Sequence, residues 1–272
     1  MTDRSSLPIG VFDSGVGGLT VLRALRAALP AEDFLYLGDT ARLPYGTKSA
    51  ATVSRYAAQA ADALAARGIK CLVVACNTAS SVAIPELTAR LAPVPVIGVI
   101  EPGAAAAVKA TRNGRIAVIA TEGTVRGGAY PRSIAALAPD VVVAQKACPL
   151  FVSLAEEGWT DGPIVEAVAR RYLEPMFAGD DAPDTLLLGC THFPALIAPL
   201  RRVVGSSVTI VDSAETTASA VRENLDRLEL RRGRGIGTVR LLATDGPERF
   251  ARVGSVFSGE PIAAGEVELV DL

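Results

Sequence analysis

The chain has 272 residues, 50% of them hydrophobic, 21% charged and 5% aromatic, a balance that can bury a sizeable core and excludes disorder as the main state. Its 27 Lys and Arg stand against 29 Asp and Glu, a formal net charge of −2, so no cationic excess is available to hold a phosphate backbone and nucleic acid is not an expected partner. No apolar run approaches the ~20 residues of a membrane span; Met1 to Leu7 is polar and lacks the apolar stretch of a secretory signal, so the expected compartment is the cytoplasm, where thiols stay reduced.

In chain order, strands are expected at 9–12, 34–37, 71–75, 96–99, 116–120, 141–144, 185–188, 208–211 and 239–243. Helices are expected at 18–29, 49–67, 80–91, 102–111, 164–177, 195–204 and 214–230. Alternation of short β-branched runs with longer helical stretches is the α/β pattern. Most runs are too apolar to leave one face in water, which predicts parallel, doubly wound sheets covered by helices on both sides. Ile9-Gly-Val-Phe-Asp13 resembles Ile116-Ala-Val-Ile-Ala120 at an offset of 107 residues, and Leu72-Val-Val-Ala-Cys76 resembles Leu186-Leu-Leu-Gly-Cys190 at an offset of 114. Nearly equal offsets predict two similar halves with pseudo-twofold symmetry, each setting a cysteine just beyond the carboxyl end of a strand.

Ligands of open parallel sheets bind beyond those strand ends. Cys76 and Cys190 are each followed by an expected helix start, a position that lowers a thiol's pKa from its free value of about 8.5. Cys71 opens a strand and Cys148 precedes Pro149, so these two read as packing residues. No two cysteines have C-x-x-C spacing, which gives no structural zinc site or redox pair. Around the strand-end thiols stand Asp13, Ser14, Asn77, Thr78, Ser80, Ser81, Thr121, Thr191 and the single histidine, His192. Singly, the Ser, Thr and Asn residues read as helix caps. Together they suit a small zwitterion, with hydroxyls, amides and helix-end N–H groups for carboxylates and Asp13 for an ammonium.

Asp13-Ser14-Gly15-Val16-Gly17-Gly18 matches neither the dinucleotide nor the Walker fingerprint, so its glycines are read as a tight turn and a close backbone approach to a ligand. No lysine follows a strand's carboxyl end, as pyridoxal phosphate would require, and no metal-ligand spacing accompanies the cysteines. The expectation is no metal and no cofactor. Two thiols facing each other across a small ligand could remove a proton from one face of a carbon and deliver another to the opposite face, inverting it. A two-lobed protein that merely holds a carboxylate, and a cysteine hydrolase using one sulfur, are the competing readings.

At these residues the chain resembles the glutamate racemases, cofactor-independent members of the aspartate/glutamate racemase superfamily. The resemblance runs through Ile9 to Leu19, Gly38-Asp39-Thr40, Pro44-Tyr45-Gly46, Ala75 to Ser80, Gly98 to Gly103, Cys148 to Glu156 and Gly189-Cys-Thr-His-Phe-Pro194. It implies Cys76 and Cys190 as catalytic acid/bases, with Asp13 near the first and Glu156 and His192 assisting the second. It further implies substrate contacts from Asp13, Ser14, Tyr45, Gly46, Asn77, Thr78, Thr121, Thr191 and His192. Two α/β domains are implied, 1–98 plus 208–272 and 99–207, with the active site in the cleft between them, and so is a homodimer. Arg126-Gly127-Gly128 stands where relatives often carry a serine. Aspartate-specific relatives commonly have Cys-Thr-Glu at the second motif, so Cys190-Thr191-His192 favours glutamate over aspartate or another small acid, and the implied role is supplying D-glutamate for peptidoglycan.

Overall fold

Two separate parallel sheets carry the chain in the computed structural model, which describes residues 4–272. Met1, Thr2 and Asp3, part of the polar stretch discussed above, lie outside the described residues. The strands are β1 (Ile9–Asp13), β2 (Phe34–Gly38), β3 (Cys71–Val74), β4 (Val96–Gly98), β5 (Arg115–Ala120), β6 (Val142–Ala147), β7 (Thr185–Gly189), β8 (Thr209–Asp212), β9 (Val239–Ala243) and β10 (Val267–Leu269). The helices are α1 (Leu19–Ala28), α2 (Ala50–Ala65), α3 (Asn77–Leu91), α4 (Ile100–Ala110), α5 (Glu122–Gly127), α6 (Ala129–Leu137), α7 (Leu150–Glu156), α8 (Pro163–Leu173), α9 (Ile197–Val204), α10 (Ser213–Arg227) and α11 (Pro247–Ser258).

The first sheet has the order β10-β9-β2-β1-β3-β4 and the second β6-β5-β7-β8, so four strands of the first are repeated, position for position, in the second. Register repeats as well. Ile9 lies opposite Cys71 in the first sheet and Ile116 opposite Thr185 in the second, 107 and 114 residues further on, which are the two sequence offsets. Every residue of β1, β2, β3 and β7 is buried, as expected for central strands covered on both faces. The edge strand β6 alternates between exposed and half-buried positions.

Because β8 pairs with β7, Thr209–Asp212 belongs to the second sheet. The chain therefore returns to the first lobe at Ser213, and the boundary expected at 208 moves past Asp212. On the way back α10 packs against α1 and α4, which gives the lobes a shared core running from Ile9 and Val73 to Ile119 and Leu188. No helix among the described residues is long and apolar enough to cross a membrane.

At the end of the first sheet away from the strand-end thiols, Lys70 is fully buried where β3 begins. Its ammonium donates to the Glu32 carboxylate and, at 2.6 Å, to the Ser5 carbonyl, while the other Glu32 oxygen accepts the Arg232 backbone N–H at 2.8 Å. Removing one partner of a buried pair strands the other charge and costs about 3–5 kcal/mol. Lys70→Met is expected to lose stability of that order in urea unfolding, and Lys70→Met combined with Glu32→Gln is expected to recover part of it; an unchanged midpoint for the single variant would refute this role.

Candidate active site

Both expected thiols reach one cavity of about 310 Å³ that lies between the carboxyl ends of the two sheets. Cys76 caps the N-terminus of α3, its sulfur accepting the Ala79 N–H at 3.4 Å and lying 3.3 Å from the Ser14 hydroxyl. Cys190 follows β7 and is succeeded by a short 3-10 turn at Phe193–Leu196, so α9 begins seven residues beyond it, two later than the 195 expected from sequence. Its neighbour is His192, whose Nδ1 lies 3.8 Å from the sulfur. Cys71 and Cys148 are buried away from the cavity wall.

Ser14, Tyr45, Gly46, Asn77, Thr78, Thr121, Glu156, Thr191 and His192 also line the cavity, which brings together the candidate residues except Asp13, Ser80 and Ser81. Asp13 lies beneath the wall, fully buried, with one carboxylate oxygen accepting the Gly15 N–H at 2.9 Å and the other without a hydrogen-bond partner. An ammonium contact from Asp13 to a ligand in the cavity is therefore not available in this arrangement. Ser80 and Ser81 turn back onto the carbonyls of Val74 and Thr78, and the Ser80 hydroxyl also accepts the Val99 N–H at 3.3 Å. Leu43, Glu122, Val152 and Ser153 are among the further lining residues. Sequence reasoning missed Glu122, Val152 and Ser153 because α5 and α7 have only six and seven residues, too few to show a helical period.

The lobes meet through polar contacts at the cavity. The Thr78 hydroxyl lies 2.9 Å from that of Thr121 and 3.2 Å from that of Thr124, and the Thr20 hydroxyl donates to the Thr191 carbonyl at 3.1 Å. Asn77 donates to the Tyr130 hydroxyl at 2.8 Å. Arg126 donates to the Lys48 carbonyl across the cleft at 3.0 Å. Gly17 is required for this approach, because a Cβ there would stand 2.5 Å from both His192 Nδ1 and Thr191 Oγ1. The glycine loop thus brings the backbone close to the opposite lobe, a neighbour the sequence did not disclose.

Electrostatically the two thiols differ. Burial, and next the Asp13 carboxylate, push the Cys76 thiol up to about 12 against the pull of Ser14 and the Ala79 N–H, the reverse of the lowering expected for a helix cap. Desolvation outweighs the cap here. Asp13 is itself raised by burial, although His192 and the loop N–H groups oppose this. On the other side burial would depress His192, but its hydrogen bonds with Cys190 and Glu156 push it up to about 10. His192 Nε2 lies 3.1 Å from Glu156. Burial disfavours the charged form of Glu156, yet His192 and Arg249 hold that carboxyl below its ordinary value. Near neutral pH an imidazolium and a carboxylate accordingly stand behind Cys190, while a buried carboxyl group underlies a protonated Cys76.

Two parallel sheets, of six strands and of four, thus set one strand-end cysteine each at a shared cleft. Sequence comparison matches residues 9–221 to the family described as Asp/Glu/Hydantoin racemase. The chain is 51% identical to a glutamate racemase of Geobacter metallireducens, across 97% of this chain and 96% of that protein. Among solved structures it superposes on glutamate racemase of Thermus thermophilus in complex with β-chloro-D-alanine, with a TM-score of 0.88, 47% identity and 98% of each chain covered. It superposes also on the Francisella tularensis enzyme in complex with D-glutamate, with a TM-score of 0.90, 36% identity and 98% of each chain covered. The chain belongs to the Asp/Glu racemase family.

The raised Cys76 thiol predicts a specific reactivity. In ligand-free protein, alkylation of Cys76 by iodoacetamide, followed by peptide mass spectrometry, is expected to climb through pH 9 and 10 without reaching a plateau. Asp13→Asn removes a neighbouring negative charge and is expected to move the profile to lower pH; a plateau near pH 8 in the unaltered protein would contradict the assignment.

Proposed function

We propose that this protein interconverts L-glutamate and D-glutamate without a cofactor, using Cys76 and Cys190 as the two acid/bases. The observation that carries the reading is that these two cysteines, from strand ends of separate sheets, face one cavity. The cavity volume suits a small amino acid. Its wall contains no lysine or arginine, so carboxylates are met by hydroxyls, by Asn77 and by the N–H groups opening α3, where the helix dipole favours negative charge. Relatives named glutamate racemase at 36–51% identity support glutamate over aspartate.

In this reaction one sulfur, as thiolate, takes the Cα proton while the other, as thiol, delivers its proton to the opposite face. The charge developing on Cα and its carboxylate is stabilised by dipoles already oriented around the site. Asp13, buried within electrostatic reach of Cys76 and raised above its usual range, provides a proton acceptor for the first thiol. His192, charged and backed by Glu156, serves the second. A two-way enzyme exchanges acid and base roles between its sulfurs in each direction, which identical side chains permit. The same reading assigns the activity to the bacterial cytoplasm, where it supplies D-glutamate for peptidoglycan, and to a homodimer.

Either enantiomer in D₂O is expected to give inverted product carrying deuterium at Cα, with no added metal or cofactor. Cys76→Ser and Cys190→Ser are each expected to keep the fold and lose at least about 100-fold in kcat, since a hydroxyl is a far weaker acid/base at these positions. A thiol variant with unchanged turnover, or product free of solvent deuterium, would sink the proposal. Light scattering is expected to give twice the chain mass, and a monomeric mass would remove the dimer.

A further inference from the structure

Arg249 does not line the cavity, yet it ends the polar chain that begins at Cys190. From the sulfur the chain runs 3.8 Å to His192 Nδ1, then 3.1 Å from Nε2 to one Glu156 oxygen, and the other Glu156 oxygen receives the Arg249 guanidinium at 2.7 Å. We propose that Arg249 is a positioning residue of the racemase reaction: from the first lobe it fixes the Glu156 carboxylate and, through it, the His192 imidazole that faces Cys190. This rests on the function proposed above.

Three observations carry the assignment. Each Glu156 oxygen has its own partner, so the carboxylate is held at both ends, and Glu156 is the last residue of α7, where its helix alone gives it little support. Among the described residues Arg249–Glu156 is the ion pair that joins the two lobes, because Glu156 follows the second sheet's β6 whereas α11 belongs to the returned first lobe. Finally, α11 touches the same relay again, setting Phe257 edge-on to the His192 ring with centroids 4.9 Å apart. Charged and titratable neighbours of His192 are Cys190, Glu156 and, electrostatically, Asp13, while those of Glu156 are His192 and Arg249. The Arg249 side chain is 46% exposed, and an ion pair so placed adds little to stability. Its use is therefore geometric and electrostatic: separated lobes would leave Glu156 without its cation.

The test uses Arg249→Met and Arg249→Lys beside the unaltered protein. His192 is the sole histidine, so ¹⁵N NMR follows its titration without overlap and without reference to turnover. Arg249 pins one Glu156 oxygen so that the other faces His192 Nε2, hence its loss lets the carboxylate turn away and weakens its hold on the imidazolium, and it also lets Glu156 take up a proton at higher pH. Arg249→Met is expected to shift the His192 midpoint downward from about 10, to move the acidic limb of kcat to higher pH, and to lower kcat about tenfold with KM changed less than about twofold. Arg249→Lys keeps the charge and is expected to restore both the midpoint and the limb. A His192 titration and pH profile unchanged in Arg249→Met would overturn the proposal, as would a kcat loss with an unmoved profile that Lys does not rescue. Should the unaltered protein fail to racemise glutamate, the function reading falls, while the NMR arm still decides the relay.

Discussion

Cys76 and Cys190 come from strand ends of separate sheets and meet at one cavity only through the relative placement of the lobes, which governs everything else in this structure. That placement is set at contacts with almost no slack. Gly17 admits Thr191 and His192 where a methyl group would collide, and Gly46 admits Thr121, whose Cβ would lie 2.8 Å from an added Cβ. Thr20 and Thr78 then fix the approach by hydrogen bonds across the cleft. These contacts sit at the strand ends themselves, so a small shift between lobes moves the sulfurs directly and is not absorbed elsewhere.

The repeated strand order gives both thiols the same address but not the same surroundings. Offsets of 107 and 114 residues place Ala120 where the first half has Asp13, and His192 where the first half has Thr78. One half thus puts a carboxyl group beneath its thiol, and the other puts an imidazole beside its thiol. Inversion needs a base on one side and an acid on the other at the same moment. Opposite local charges make that division natural, since a sulfur that gains charge near His192 finds a counter-ion there and one that gains charge near Asp13 does not.

Much of this was legible in the sequence because parallel strands buried on both faces are written as uninterrupted apolar runs, and the nine expected strands correspond to β1 through β9. The strand-end cysteines and most of the small polar residues were likewise found by position, since a hydroxyl or amide after a strand has few places to point. The environment of Asp13 could not be read the same way: whether a carboxylate at a strand end faces a cavity or lies under it depends on Gly15 and Gly18 folding over it. The α5–α6 pair was hidden by Pro131, which reads as a breaker but falls in the first turn of α6, where no backbone N–H bond is lost. The edge strand β10, three residues long, carries too little pattern to be seen at all.

The most consequential omission was α11, whose ends were marked in the sequence by Pro247 just inside the start and Gly259 just beyond the last turn. Reading it as a helix from sequence would still not have placed it over the site, because its contacts with Glu156 and His192 join elements about ninety and sixty-five residues apart, through a chain that leaves the first lobe and comes back. That return gives the first lobe a hold on the Glu156 and His192 side chains beside Cys190. A simple tandem duplication would keep each thiol's support within its own half; here Cys190 depends on Glu156 from its own lobe and on Arg249 and Phe257 from the other. In the proposed reaction the discontinuous first lobe is therefore part of the chemistry, because it ties the electrostatics around Cys190 to the lobe contacts that set Cys76 on the same cavity.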